Sequence, residues 1–282
     1  MTLDIRKKYF SHFLKYCCDF KADHRFVMLS GGIDSFMLLS ALMQKYKPEQ
    51  VTALIIRGVS TPDYTKAQTA AKYYGVESRV TQLCIDDYLN STHLCRGTSD
   101  ISLFQLIFRI AAHAALSQVN IKGCPVYEGD GADSLYGNQS PFIYLASNDV
   151  AESQGVTKDE AREILRRQHR HKNMTGKCTG TAKLFAEVTR QFGGTPVQPW
   201  VSGEFEYILD VPLSEFRGPK KKWVCDGLVS EWGVNRGLVD TRSRISMQQG
   251  TGFYDLLSKE ICKKFKTKSA NTAVKFISKG LL

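Results

Sequence analysis

RFVMLSGGIDSFMLLS, residues 25–40, decides the fold. A short apolar run, Phe26 to Leu29, leads into Ser30-Gly31-Gly32-Ile33-Asp34-Ser35, and the apolar run Phe36 to Gln44, rich in helix formers, follows at once. The pattern predicts strand, tight turn, helix. Two adjacent glycines let backbone approach whatever lies in the turn, and the first amides of the helix, at its positive dipole end, point to the same spot. Such a turn attracts phosphate. Ser30 and Ser35 can add hydroxyl donors, whereas Asp34 makes sense beside phosphate only if a divalent cation balances it. The loop therefore predicts a nucleotide together with Mg²⁺.

Outward from this loop the chain alternates. Before it, Leu3, Ile5, Tyr9, Phe10, Phe13, Leu14 and Tyr16 fall on a broken helical spacing, which predicts a leading helix over residues 3–20 packed on the sheet. After it, Val51 to Arg57 (VTALIIR) reads as a second buried strand, Asp63 to Tyr74 as an alanine-rich helix closed by Gly75, and Glu77 to Leu83 as a third strand. Ile101 to Gln118 is apolar and free of Gly and Pro, hence a buried helix, and its His113 reads as a packed residue and not a catalyst. The alternation predicts an α/β fold with a parallel sheet and a ligand site at the C-terminal ends of its strands.

Composition narrows the class. A chain of 282 residues with 43% hydrophobic content can bury a real core as one large domain or two small ones. No apolar run is long enough for a bilayer and the N-terminus lacks a signal-peptide pattern, so a cytoplasmic protein with no membrane partner is expected. Eight scattered cysteines with no C-x-x-C pair read as reduced thiols. The formal charge of +10 gathers late, in residues 162–172, 220–222 and 263–268. These segments read either as a solvated surface that draws in ATP, or as a dock for nucleic acid or a separate ammonia-supplying protein.

A second loop carries chemistry. Pro125-Val126-Tyr127 reads as a strand running into Glu128-Gly129-Asp130-Gly131-Ala132-Asp133-Ser134-Leu135-Tyr136-Gly137. Three carboxylates within six residues call for a cation, and Mg²⁺ held there beside a phosphate loop would stabilise departing pyrophosphate.

The first loop resembles the SGGxDS loop of the PP-loop ATP pyrophosphatases, and the second resembles the SGEGSDELFGG stretch of the synthetase domain of asparagine synthetases and their β-lactam-forming relatives. The resemblance runs in pieces from about Arg25 to Tyr254, without a glutaminase domain, since residue 2 is Thr and not a nucleophilic cysteine. It implies a PP-loop, adenine nucleotide α-hydrolase-like core over 25–150 after the leading helix 1–24, and a helical, basic, substrate-side region over 151–282. It implies ATP bound by Leu29, Ser30, Gly31, Gly32, Asp34, Ser35, Ile56 and Gly129, and Mg²⁺ held by Asp34 and Asp133. Asp130 falls on the family's catalytic-site glutamate, one methylene shorter, while Glu128 replaces a serine and Ser134 a glutamate. Arg244 occupies the position of a catalytic lysine; it can steady transition-state charge but cannot readily shuttle a proton. In GGTPVQPWVSGEFEYILD, Pro199 and Trp200 match a PF pair; the family's helix-bound aspartate is absent, with Glu204 the nearest acidic replacement.

The implied activity is an AMP- and pyrophosphate-forming ligase that adenylates a carboxylate and passes the acyl group to ammonia or an amine. Two other readings stand beside it: the same adenylation on a nucleobase in RNA or DNA, and a degenerate nucleotide-binding member with a partner-binding role. Residues 150–180, polar, basic and broken by glycines, read as a variable insertion or mobile cover.

Overall fold

The computed structural model describes residues 2–58, 62–95, 101–136, 141–174, 180–216, 222–240 and 253–279. The strands are β1 (Arg25–Met28), β2 (Val51–Arg57), β3 (Glu77–Gln82), β4 (Pro125–Tyr127) and β5 (Thr195–Val197). The helices of the first half are α1 (Thr2–Cys18), α2 (Ile33–Met43), α3 (Pro62–Tyr74), α4 (Ile85–Asn90), α5 (Leu103–Leu116) and α6 (Ala132–Tyr136). Those of the second half are α7 (Pro141–Gln154), α8 (Lys158–Met174), α9 (Thr181–Gln191), α10 (Leu213–Phe216), α11 (Lys222–Trp232), α12 (Arg236–Asp240), α13 (Phe253–Lys264) and α14 (Ala270–Ser278).

The strands form one parallel sheet in the order β3-β2-β1-β4-β5. Its central strands are buried on both faces, and the period-two alternation sorts their side chains. Val27, Ala53, Ile55, Tyr127 and Val197 face a core shared with α1, α2, α3 and α11. Phe26, Met28, Leu54, Ile56 and Val126 face the other core, shared with α5, α9, α13 and α14. Each large apolar side chain so buried contributes roughly 1.5–3 kcal/mol, which is why VTALIIR and the α5 run were readable as they stand.

From β1 the chain steps outward to β2 and β3 with α2 and α3 on one face, then returns across β1 to β4 and β5 with α5 and α9 on the other. Reversing the direction of travel while keeping crossovers of one hand moves the helices to the opposite face. The reversal leaves a crevice at the C-terminal ends of β1 and β4, the place where open α/β sheets bind ligands. Both quoted loops leave from those ends.

Two features depart from the sequence reading. β5 is an edge strand of three residues with Pro196 paired to Val126; its length and its proline, tolerated only at an edge, hid it. Residues 150–180 are no loose cover where they are described: α7 and α8 pack side by side, and α8 buries Ala161, Leu165, Arg166 and Arg170. The polar appearance misled because the arginines bury their stems along apolar surface and spend their heads on backbone carbonyls.

Candidate active site at the ends of β1 and β4

The first loop is ordered by its own atoms. Ser30 N donates to Ser35 Oγ at 3.2 Å, the two hydroxyls lie 3.1 Å apart, Ser35 Oγ donates to the Gly32 carbonyl at 3.2 Å, and Gly32 N reaches Ser30 Oγ at 3.4 Å. Ser35 is buried. Its hydroxyl thus staples the turn instead of reaching a ligand. Gly31 adopts φ +82°, and a Cβ there would sit 2.3 Å from the Asp63 carbonyl oxygen at the start of α3, so only glycine fits. The N-cap of α2 is Gly32, which supplies no side-chain cap. By contrast α5 closes its own start with the Ser102–Gln105 capping box. The start of α2 thus has no side-chain cap from its N-cap residue, and uncapped helix starts are where phosphate binds.

The second loop meets the first. A Cβ on Gly129 would lie 3.2 Å from Ser35 N and 3.5 Å from Asp34 Cβ, so a side chain at 129 would crowd the first turn of α2. Glu128 is buried just before it, held by its amide to the Val197 carbonyl at 3.1 Å and by Gln198 Nε2, which donates to Oε2 at 3.0 Å. Burial first, then the neighbouring carboxylates of Asp130 and Asp34, push the Glu128 carboxyl up to about 8. Asp130 is raised as well, chiefly by burial and against the pull of its hydrogen bonds, with Asp133 adding to the rise. Asp34, Glu128, Asp130 and Asp133 thus share one electrostatic neighbourhood.

Asp130 does more local work than the resemblance implies. Its Oδ2 accepts from Thr181 Oγ1, its Oδ1 accepts from the Gly131 amide at 3.0 Å, and the Ala182 amide also donates to it. It therefore caps α9, whose own N-cap, Gly180, carries no side-chain cap. Gln198 joins the same corner, donating to both Glu128 and the Ala182 carbonyl at 3.0 Å. Neither Gln198 nor Thr181 was marked by any motif, because each acts through a contact distant in sequence. Glu128 was visible as one carboxylate of the acidic loop and as a replaced serine, but not as a buried group paired with Gln198.

The loop is backed by α8. Gly131 takes φ +90° with Val201 and the Trp200 backbone against it. Arg170 donates to the carbonyls of Trp200 and of Ser202 (2.8 Å), to Glu206 at 2.6 Å and to Ser134 Oγ at 3.4 Å. Arg166 donates to the carbonyls of Leu135 (2.8 Å), Val211 (2.9 Å) and Ile208 (3.0 Å). Trp200 Nε1 donates to Tyr9 and Tyr136 at 2.9 Å each. Ser134, where the family has glutamate, hydrogen-bonds the Gly131 carbonyl at 2.7 Å and so closes the turn. Within 162–172, Arg162 pairs with Asp159 and Arg167 reaches the Leu209 carbonyl, so these arginines are occupied within the chain.

The other expected residues fall as follows. Asp34 is half-buried in the first turn of α2 and Asp133 is exposed in the first turn of α6. Leu29 and Ile56 have buried side chains, so each offers a nucleotide only backbone. Glu204, in the 3-10 turn Gly203–Asp210, is paired with α1 through His12, whose Nε2 lies 3.0 Å from its carboxylate. Arg244, like Gly137, Lys220 and Lys221, lies outside the described residues.

The donor chemistry fits Mg²⁺ that arrives with a triphosphate. Among the described residues no three His, Cys, Asp or Glu side chains form a metal cage. Mg²⁺ is typically held by one or two carboxylates and completed by phosphate oxygens and water. Asp34 and Asp133 would be the residues to hold it, and it would supply charge neutralisation to the phosphates.

A phosphate-receiving turn, an acidic loop pressed against it and a five-stranded parallel sheet beneath define an adenine nucleotide α-hydrolase-like domain. The model of the family described as Asparagine synthase matches residues 24–246, and the chain belongs to that family. Membership points to an ATP-dependent, amidation-type ligase. No curated protein matches the sequence. Among the described residues no helix is long and apolar enough to cross a membrane.

Proposed function

We propose that this chain is an AMP- and pyrophosphate-forming ligase that activates a carboxylate with ATP and transfers the acyl group to ammonia or a small amine. The observation that carries this is the approach of Gly129 to the Ser35 amide, which sets an acidic loop against a phosphate-binding turn. The α2 amides and the Gly31-Gly32 turn receive the phosphates. Asp34 and Asp133 hold the cation, whose charge favours departure of pyrophosphate. Arg244 is expected to stabilise charge on the α-phosphate, bidentately, as a guanidinium can. The buried Glu128–Gln198 pair and the Asp130 cap of α9 wall the β4 side of the pocket.

The intramolecular engagement of the α8 arginines weighs against a nucleic-acid dock at 162–172, so the small-molecule reading is preferred. Magnesium-dependent exchange of labelled pyrophosphate into ATP, stimulated by one member of a panel of amino-acid and keto-acid carboxylates, is the expected result. Tight nucleotide binding with no exchange for any acid would reject a ligase and leave a nucleotide-binding partner protein.

A further inference from the structure

We propose that Glu128, rather than Asp130, is the carboxylate that meets the nitrogen nucleophile. The inference rests on the ligase reading above and deepens it. Asp130 accepts from Thr181 Oγ1 and from the amides of Gly131 and Ala182, and in doing so holds the start of α9. A carboxylate so engaged cannot turn to a substrate without uncapping a helix, at a cost of about 1 kcal/mol or more. Glu128 is 7% exposed and accepts from Gln198 Nε2 at 3.0 Å and from the Asp130 amide, contacts that cap no helix. A carboxylate has about four acceptor sites, so Glu128 keeps acceptor capacity inside a buried wall.

Position is compatible with this role: Glu128 immediately precedes Gly129, where a Cβ would lie 3.2 Å from Ser35 N and 3.5 Å from Asp34 Cβ in the phosphate turn. The nucleophile must reach an acyl carbon bonded to the α-phosphate, beside that turn. The EGDG sequence thus carries the long carboxylate two residues before the position where the resemblance put it, and on the α9 side of the strand end. No lysine or arginine among the described residues forms an ion pair with Glu128, which suits a small nitrogen donor entering as ammonia, or as ammonium that then yields a proton.

The step balances without a further reactant. The nitrogen lone pair forms a bond to the acyl carbon of the acyl adenylate. The carbon–oxygen bond to the phosphate breaks, and its electron pair leaves with AMP. The proton shed by nitrogen passes to Glu128 in its ionised form, which prevails above about pH 8, so amide formation is assayed on the alkaline side of that value.

Two measurements test this. In the first, Glu128→Gln and Asp130→Asn are assayed in the full chain, with the acid that supports exchange, for both pyrophosphate exchange and amide formation from ammonium chloride. Glu128→Gln is expected to keep exchange within about threefold while amide formation falls about a hundredfold, the usual contribution of general base catalysis. Hydroxylamine, a better nucleophile, should recover much of the product. Asp130→Asn is expected to slow both steps together. Amide formation that survives Glu128→Gln, or a Glu128→Gln loss shared equally with exchange, overturns the assignment. Absence of exchange in the unmodified chain instead rejects the ligase reading, and this inference with it.

In the second, crystals are soaked in thallium(I), a monovalent cation of ammonium's size, with Mg²⁺ present. An anomalous peak on the Glu128 carboxylate that disappears in Glu128→Gln supports the proposal whether or not the acid is known. A peak on Asp130 alone, or none on either, contradicts it.

Discussion

The loop at 30–35 and the loop at 128–136 sit against each other but are built in opposite ways. The first is closed by four contacts among Ser30, Gly32 and Ser35, all within six residues. The second is held from the far half of the chain: Thr181 and Gln198 fix its carboxylates, while Arg166, Arg170 and Trp200 fix its backbone and helix. A site half built locally and half built by long-range contacts should fail in two distinguishable ways. The first loop's variants should alter nucleotide handling in an intact fold, and the second loop's supports should cost stability.

The largest effect is expected from Asp34→Ala. Its side chain is half-buried at a helix start, so the fold should persist, while magnesium-dependent exchange drops by about a thousandfold or more, the upper range for removing one preorganised electrostatic group. Retained exchange would remove Asp34 from the cation site. Next comes Arg166→Met, which strips three carbonyls in the interior of their shared donor. Urea unfolding should register a loss of roughly 3–5 kcal/mol. A neutral outcome would mean that α8 is not what holds the second loop.

The pH response separates the loops further. Glu128, raised to about 8 in the folded chain, binds a proton there that the unfolded chain releases above its ordinary carboxylate range. The native state then holds more protons, so stability should fall as pH rises from about 4.5 to about 8, with a slope of up to about 1.4 kcal/mol per pH unit from this group. Glu128→Gln should flatten that slope in urea melts without added nucleotide, and an unchanged slope would assign it elsewhere. The smallest effect is expected for Ser35→Ala: loss of the staple to Ser30 N should cost about 1 kcal/mol of stability. A much larger loss would show the first loop to be less self-contained than its hydrogen bonds indicate.

The same contrast explains what could be read from the residues. SGGIDS was legible because its chemistry and its structure are consecutive, and β2 and α5 because burial on both faces or one face writes itself into a run of apolar residues. The acidic loop was legible as a concentration of charge but not as a division of labour. Which of Asp130 and Glu128 is tied to a helix start depends on Thr181 and Gln198, more than fifty residues away, and nothing in EGDGADS encodes them. Two arginines of the basic stretch 162–172 were illegible for a related reason. Arg166 and Arg170 are charged by composition but interior by placement, and their partners are carbonyls, which leave no mark in a sequence. β5 escaped through its brevity and Pro196.

The most direct test of the shared site is a crystal structure of the full chain with Mg²⁺ and an ATP analogue that cannot be cleaved between the α and β phosphates. The phosphates are expected on the amides at the start of α2, with the cation between them and the carboxylates of Asp34 and Asp133. A nucleotide bound away from Gly31 and Gly32, or a cation that touches neither carboxylate, would contradict the account.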